Sequence, residues 1–251
     1  MTRPTANKHP SRAGKAGARA AARALPNSSD ILLQTAERLY AERGLDGVSM
    51  REIAREAEQK NNSALHYHFG SKEALLDAIL RYRMEEVDGL RNDYVDRCEA
   101  AGRSELRAAV EALVMPLAHG LTSSRPNNYY NRFLAAAQIH PDIDLLEQGS
   151  EEVQRGFRRV HSLLEQALPH LPPVILRQRY LTSIALITFS LADFERIKAR
   201  KLRQSRGFDL PRAIDNLVDM IAGALAAPVS DQVKARLANG DVARGGVRAI
   251  V

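Results

Sequence analysis

From residue 30 to residue 226 the apolar side chains recur at intervals of three and four, and no stretch alternates over a strand's length. A chain with that period buries stripes of helix, so the expected fold class is all-α. Residues 30–43 place Leu32, Ala36, Leu39 and Tyr40 on one face, and Gly44 supplies a left-handed stop. Ser49-Met-Arg-Glu52 spells a capping box that opens a short helix over 50–57, with Ile53, Ala54 and Ala57 inward. A polar break over 58–62 follows. A third short helix over 63–69 sets Leu65 and Phe69 four apart, so they point inward together. Gly70 ends it and Ser71 caps a fourth helix, whose stripe runs through Leu75, Leu76, Ile79, Leu80, Val87, Leu90 and Tyr94. A helix of about 25 residues spans roughly 37 Å, enough to leave one small unit and enter the next.

Further helices are expected over 104–119, 129–139, 142–168, 173–203 and 211–226, with Gly102, Pro126, Pro141, Pro172 and Pro211 as punctuation and Pro116 as a candidate kink. The 173–203 stretch carries Leu176, Tyr180, Ile184, Ile187, Leu191 and Phe194 as one stripe, which Leu181, Ala185, Thr188 and Ala192 widen. Apolar residues on more than one face imply burial on two sides. The next helix repeats this with Ile214, Leu217, Val218, Ile221 and Leu225.

Length and charge narrow the class. With 251 residues there is room for one domain or two small ones. No run of 18 apolar residues occurs, and the best candidate, 181–192, is broken by Thr182, Ser183, Thr188 and Ser190. A single cysteine, Cys98, excludes an intramolecular disulfide and a cysteine-rich zinc site. The start lacks an apolar signal stretch, so a cytoplasmic protein is expected. Of the 36 basic residues, six fall within 1–29, which hold no acid; the other 30 equal the 30 acids of the rest. The formal excess of +6 therefore sits in one arm, rich in Ala, Gly, Pro and Ser, that is expected to be disordered. Such an arm suits a polyanion, most simply nucleic acid, though a solvated tail without a role has the same composition.

Two short helices across a polar turn are the spacing of a helix-turn-helix, in which one helix braces on the DNA backbone and the next enters the major groove. Residues 59–72 contain no acid and hold Lys60, Asn61, Asn62, Ser63, His66, Tyr67, His68 and Lys72, all able to meet phosphates or base edges. The wider stretch 30–87 has 8 bases and 11 acids, so acids are kept off this one window.

The blocks Ile31-Leu-x-x-Ala-x-x-Leu-Tyr-Ala-Glu-Arg-Gly44, Ser49-Met-Arg-Glu-Ile-Ala-Arg-Glu-Ala57 and Leu65-His-Tyr-His-Phe-Gly-Ser-Lys-Glu-Ala-Leu75 resemble the TetR family of bacterial transcriptional regulators over residues 28–87. The resemblance implies a homodimer of all-α subunits, with an N-terminal domain for a palindromic double-stranded DNA operator. It also implies a C-terminal domain for dimerisation and a small-molecule effector. Carried over by position, Arg51 meets the backbone or a base, and Asn62, Ser63 and Ala64 lead toward base edges. His66 and Tyr67 share a phosphate contact, and His68 and Lys72 match further ones; Lys60 and Asn61 belong to the same window. Two departures stand out. The turn is one residue longer than the common form, and Glu58 stands where glycine is frequent.

The resulting organisation is a basic arm over 1–27, a helix-turn-helix domain over 28–87, a dimerisation and effector domain over 88–228 and a flexible tail over 229–251. The last two long helices of each subunit would form a four-helix interface, as in the family. His119, Tyr129, Tyr130, Arg132, Gln138 and His140 are polar candidates for the effector pocket. His66 and His68 lie two apart on a helix and face away from each other, so no metal pair is expected. No cofactor is expected, and no phosphate loop, nucleophile elbow or H-E-x-x-H occurs, which argues against an enzyme. The expected function is a ligand-responsive repressor. The alternative is a helical small-molecule-binding protein whose N-terminal domain does not bind DNA.

Overall fold

The structure, a computed structural model, describes residues 28–58, 68–123, 128–145, 151–200 and 208–239. Among these residues it holds nine helices and no strand. They are α1 (Ser28–Arg43), α2 (Met50–Glu56), α3 (Lys72–Ala100), α4 (Leu106–Thr122), α5 (Tyr130–Gln138), α6 (Glu151–Ala167), α7 (Pro173–Ala199), α8 (Leu210–Ala226) and α9 (Asp231–Ala238). The basic arm, residues 59–67 of the turn and third helix, and the end of the tail lie outside the described residues.

Local signals set the helix ends. Gly44 adopts φ +81° and its N–H reaches the Tyr40 carbonyl at 2.9 Å, closing α1 as the stop signal requires. Ser49 Oγ accepts the Glu52 N–H at 3.3 Å, and Ser71 Oγ accepts the Ala74 N–H at 3.1 Å. The capping box is only half made, because the Glu52 carboxylate accepts from the Arg43 guanidinium of α1. At the far end, Arg179 Nη1 donates to the carbonyls of Leu225 at 2.7 Å and Ala227 at 2.5 Å, closing α8 with a cation.

Two apolar cores form. The first gathers Leu32, Leu39 and Tyr40 of α1, Ile53 of α2 and Leu75, Ile79 and Leu80 of α3. It is completed by Tyr130, Phe133, Leu134 and Ala137 of α5. The second gathers Val95 of α3 with the inner faces of α4, α6, α7 and α8. With 29 residues, α3 is about 43 Å long and serves both cores. The α7 stripe is core as expected, with Leu176, Tyr180, Ile187 and Leu191 buried.

Three segments differ from expectation. Residues 142–145 form a turn, so the helix expected from 142 is described from Glu151. Pro141 interrupts the chain there, and His140 Nδ1 accepts the Asp142 N–H at 3.3 Å. Within the expected flexible tail, Ser230 caps α9, none of whose residues is buried. α4 runs on through Pro116 to Thr122. Among the described residues no single helix is long and apolar enough to cross a membrane; α8 and α9 pass that test only as a pair bent by 50°.

Candidate nucleic-acid interface and ligand cavity

Three of the residues expected at DNA are described. Arg51 and His68 are exposed, and Lys72 is half-buried at the first turn of α3. The Lys72 ammonium lies 4.0 Å from Asp46 Oδ1 in the α1–α2 link, an exposed pair that leaves the cation available to a phosphate. The capped start of α2 presents Arg51, and Arg55 is also exposed on that helix. Lys60, Asn61, Asn62, Ser63, Ala64, His66 and Tyr67, with Leu65, lie outside the described residues. Phe69 is half-buried against the first core, the inward placement expected of it.

Glu58 ends α2 at φ +53°, a left-handed conformation, with its N–H on the Arg55 carbonyl at 3.1 Å. The position where the family resemblance points to glycine therefore does require positive φ, and glutamate bears that strain.

Charge holds α1 on α3 within the head, and α5 packs against both. Arg83 of α3 makes a two-pronged bond to Glu37 of α1, with Nε to Oε2 at 2.6 Å and Nη2 to Oε1 at 2.8 Å. Its guanidinium also stands 5.6 Å from the Tyr130 ring of α5. Burial alone would lower the Arg83 pKa; the Glu37 and Glu86 carboxylates outweigh it and raise that pKa, so the cation is permanent. Tyr40 and Phe133 meet across α1 and α5 with ring centroids 6.2 Å apart.

A cavity of about 1350 Å³ opens beside α5, above the roughly 300–1,000 Å³ usual for ligand sites. Its wall is mainly apolar, with Val87, Leu113, Leu134, Phe157, Ile184 and Ile187. Of the polar pocket candidates, Tyr130 and Gln138 line it. Arg132 instead pairs with Glu195 at 2.9 Å, and His140 Nε2 faces Asp46 Oδ1 at 3.3 Å. His119 and Tyr129 are not part of the wall. Sequence reasoning missed Arg91, which lines the cavity while buried beside Asp88. An Asp-Arg pair three apart on a helix reads as a surface pair, and its stripe neighbours gave no other signal. Among the described residues, no group of three or more His, Cys, Asp or Glu could hold a metal.

Comparison with known proteins agrees with this architecture. Residues 32–79 match the family described as bacterial regulatory proteins, tetR family, and residues 111–224 match the tetracyclin repressor-like C-terminal domain. The HTH-type transcriptional repressor KstR2 of Rhodococcus jostii (strain RHA1) is 39% identical over 83 residues, 33% of this chain and 38% of that protein. The chain thus aligns with well under half the length of that curated relative. FadR of Bacillus subtilis, solved in complex with stearoyl-CoA, has the same fold with a TM-score of 0.55 at 11% identity, over 77% of this chain and 97% of that one. PfmR of Thermus thermophilus aligns with a TM-score of 0.50 at 15% identity, over 76% of this chain and 96% of that one. This chain belongs to the TetR family of bacterial regulatory proteins, whose members are DNA-binding transcriptional regulators that usually act as dimers.

Proposed function

We propose that this protein is a homodimeric, ligand-responsive repressor that binds a palindromic operator through residues 49–72 of each subunit. The observation that carries the reading is the shared use of α5. Its Phe133 and Ala137 fill the core of the DNA-binding head, while its Tyr130 and Leu134 also line the cavity. A molecule that moves the cavity wall therefore acts directly on the packing that sets the head's angle. It can do so only through its difference in affinity for the two arrangements; a shift from 1:99 to 99:1 needs about 5.5 kcal/mol. The FadR complex with stearoyl-CoA and the repressor name of KstR2 support an effector cavity and a repressor role here.

Dimerisation is assigned to α7 and α8. Leu186 and Phe189 lie three apart on α7 and are 41% and 42% exposed, and Met220 on α8 is 54% exposed. Large apolar side chains held in water on adjoining long helices fit a four-helix interface with a second copy. Arg51, Asn62, Ser63 and Ala64 then read bases or backbone, and Lys60, Asn61, His66, Tyr67, His68 and Lys72 hold phosphates and register.

The experiment is selection of bound duplexes from a random pool by the full chain, followed by release with candidate metabolites. An enriched two-fold symmetric sequence is expected, with half-sites a helical turn or a multiple of it apart. Enrichment of nothing above the starting pool contradicts the reading.

A further inference from the structure

α5 begins without a side-chain cap from Tyr129, the residue before it. A carboxylate from α7 takes that place. Glu195 Oε2 accepts the Asn131 N–H at 3.0 Å and Oε1 accepts from Arg132 Nε at 2.9 Å. The Glu195 side chain is only 3% exposed. The next residue of α5, Phe133, is fully buried in the core of the DNA-binding head against Tyr40. Glu195 therefore fixes α5 immediately before that helix enters the head.

Both proton states of this carboxyl have a place. An ionised carboxylate at a helix N-terminus is favoured by the helix dipole and accepts stronger bonds than a neutral acid. For the neutral acid, Asn131 Oδ1 is a buried acceptor without a donor among the described residues, and a carboxyl proton would supply one. Arg132 is the charged group that faces Glu195 from α5. His119 of α4 and Arg212, Asp215 and Asp219 of α8 are exposed. On α7 itself Asp193 and Arg196 pair with each other, and Lys198 donates to the Leu121 carbonyl of α4. α6 meets α7 toward its other end, where His161 packs on Tyr180. Burial outweighs the bonds to Arg132 and the α5 amides and pushes the Glu195 pKa up to about 7.

We propose that Glu195 is a positioning residue whose proton state sets operator affinity: the ionised carboxylate holds the start of α5, and with it the head, while the neutral acid lets both relax. The proposal rests on the reading of this chain as an operator-binding regulator. A firmly held head loses less freedom on binding, so the ionised form binds the operator more tightly. By reciprocity the operator favours the ionised form, and binding expels the proton.

Anisotropy titrations of a selected duplex with the full chain and with Glu195→Gln, at a series of pH values from about 6 to about 8, test this. Protonation of His66 or His68 changes both proteins alike, so the ratio of parent to variant affinity isolates Glu195. That ratio is expected to rise about threefold across the series, the worth of a charge at a helix N-terminus. A merely structural role for Glu195 would change the affinity without changing the ratio with pH. In the unaltered chain labelled with glutamate carrying carbon-13 at the side-chain carboxyl, one carboxyl resonance is expected to titrate near pH 7. Its midpoint is expected to fall by about 0.5 pH unit when the duplex is added, as the threefold ratio requires. A ratio that stays constant or falls with rising pH overturns the proposal and leaves operator binding standing, as does a midpoint that the duplex leaves in place. If no duplex is bound at any pH, the operator reading fails and this proposal with it. If Glu195→Gln fails to fold, as a thermal melt would show, the resonance of the unaltered chain decides.

Discussion

His140 Nε2 stands 3.3 Å from Asp46 Oδ1, joining the end of α5 to the α1–α2 link of the DNA-binding head. Because His140 Nδ1 accepts the Asp142 N–H, the neutral ring carries its proton on Nε2 and donates it to Asp46. The same carboxylate oxygen lies 4.0 Å from Lys72 Nζ. Gln138, Pro141 and Asp142, the neighbours of His140, line the cavity. Asp46→Asn removes a negative charge beside Lys72 and weakens this link. Tighter operator binding and a reduced response to effector are expected in anisotropy titrations; unchanged values for both contradict the link.

Glu58 bears left-handed strain at the end of α2. Glu58→Gly is expected to stabilise the protein by about 1 kcal/mol, part of the left-handed cost being offset by the greater freedom of the unfolded chain. For a chain of this size that raises the melting temperature by about 2–4 °C. A lower melting temperature would show that the positive φ is not strained here.

The Glu37–Arg83 clamp is buried, so breaking it leaves a charge without its partner. Arg83→Ala is expected to cost about 3–5 kcal/mol in a denaturant melt. Arg83→Lys recovers only part of this, because an ammonium cannot make both bonds to Glu37 in one plane. Full recovery by lysine would contradict a two-pronged geometry.

Glu195 of α7 accepts the Asn131 N–H at 3.0 Å and Arg132 Nε at 2.9 Å, tying α7 to the start of α5. Desolvation still dominates and pushes its pKa up to about 7. The folded protein therefore holds this proton more tightly than the unfolded chain. The group's contribution is fully present below the ordinary carboxylate pKa of about 4.5 and is lost as pH rises through about 7. Glu195→Gln removes that dependence. The melting temperature of the variant minus that of the parent is expected to grow between pH 5 and pH 7.5, corresponding to about 1–3 kcal/mol. A constant difference would show that Glu195 titrates normally.

Leu186→Glu combined with Phe189→Glu places charges on the exposed apolar face of α7 without touching the buried stripe. Sedimentation is expected to show monomers where the parent is dimeric, at unchanged helix content. A dimer that survives both substitutions places the interface elsewhere.

Signals confined to neighbouring residues were legible in the sequence. Gly44, Ser49 and Ser71 mark helix ends by bonds made within four residues, and all three act as read. The all-α class and the core side of α7 follow from period alone. What stayed hidden depends on partners distant in the chain. The head reads in sequence as a unit of residues 28–87, yet Phe133 packs on Tyr40 and Tyr130 on Arg83, contacts that no period encodes. Glu52 matches a capping box, but Arg43 competes for its carboxylate and wins. Asp88 and Arg91 carry no sequence signal of burial, because Gly156 of α6, which packs on Asp88, is distant in the chain.

The surface bearing Arg51, His68 and Lys72 is expected to hold operator phosphates in a dimer. Operator affinity measured against salt concentration tests it most directly. If each subunit neutralises about four phosphates, the slope of log K against log salt is expected near −7, flattening by about two units in the Lys72→Ala dimer. A slope near zero, or one that Lys72→Ala leaves unchanged together with the affinity, would show that this surface does not meet the DNA.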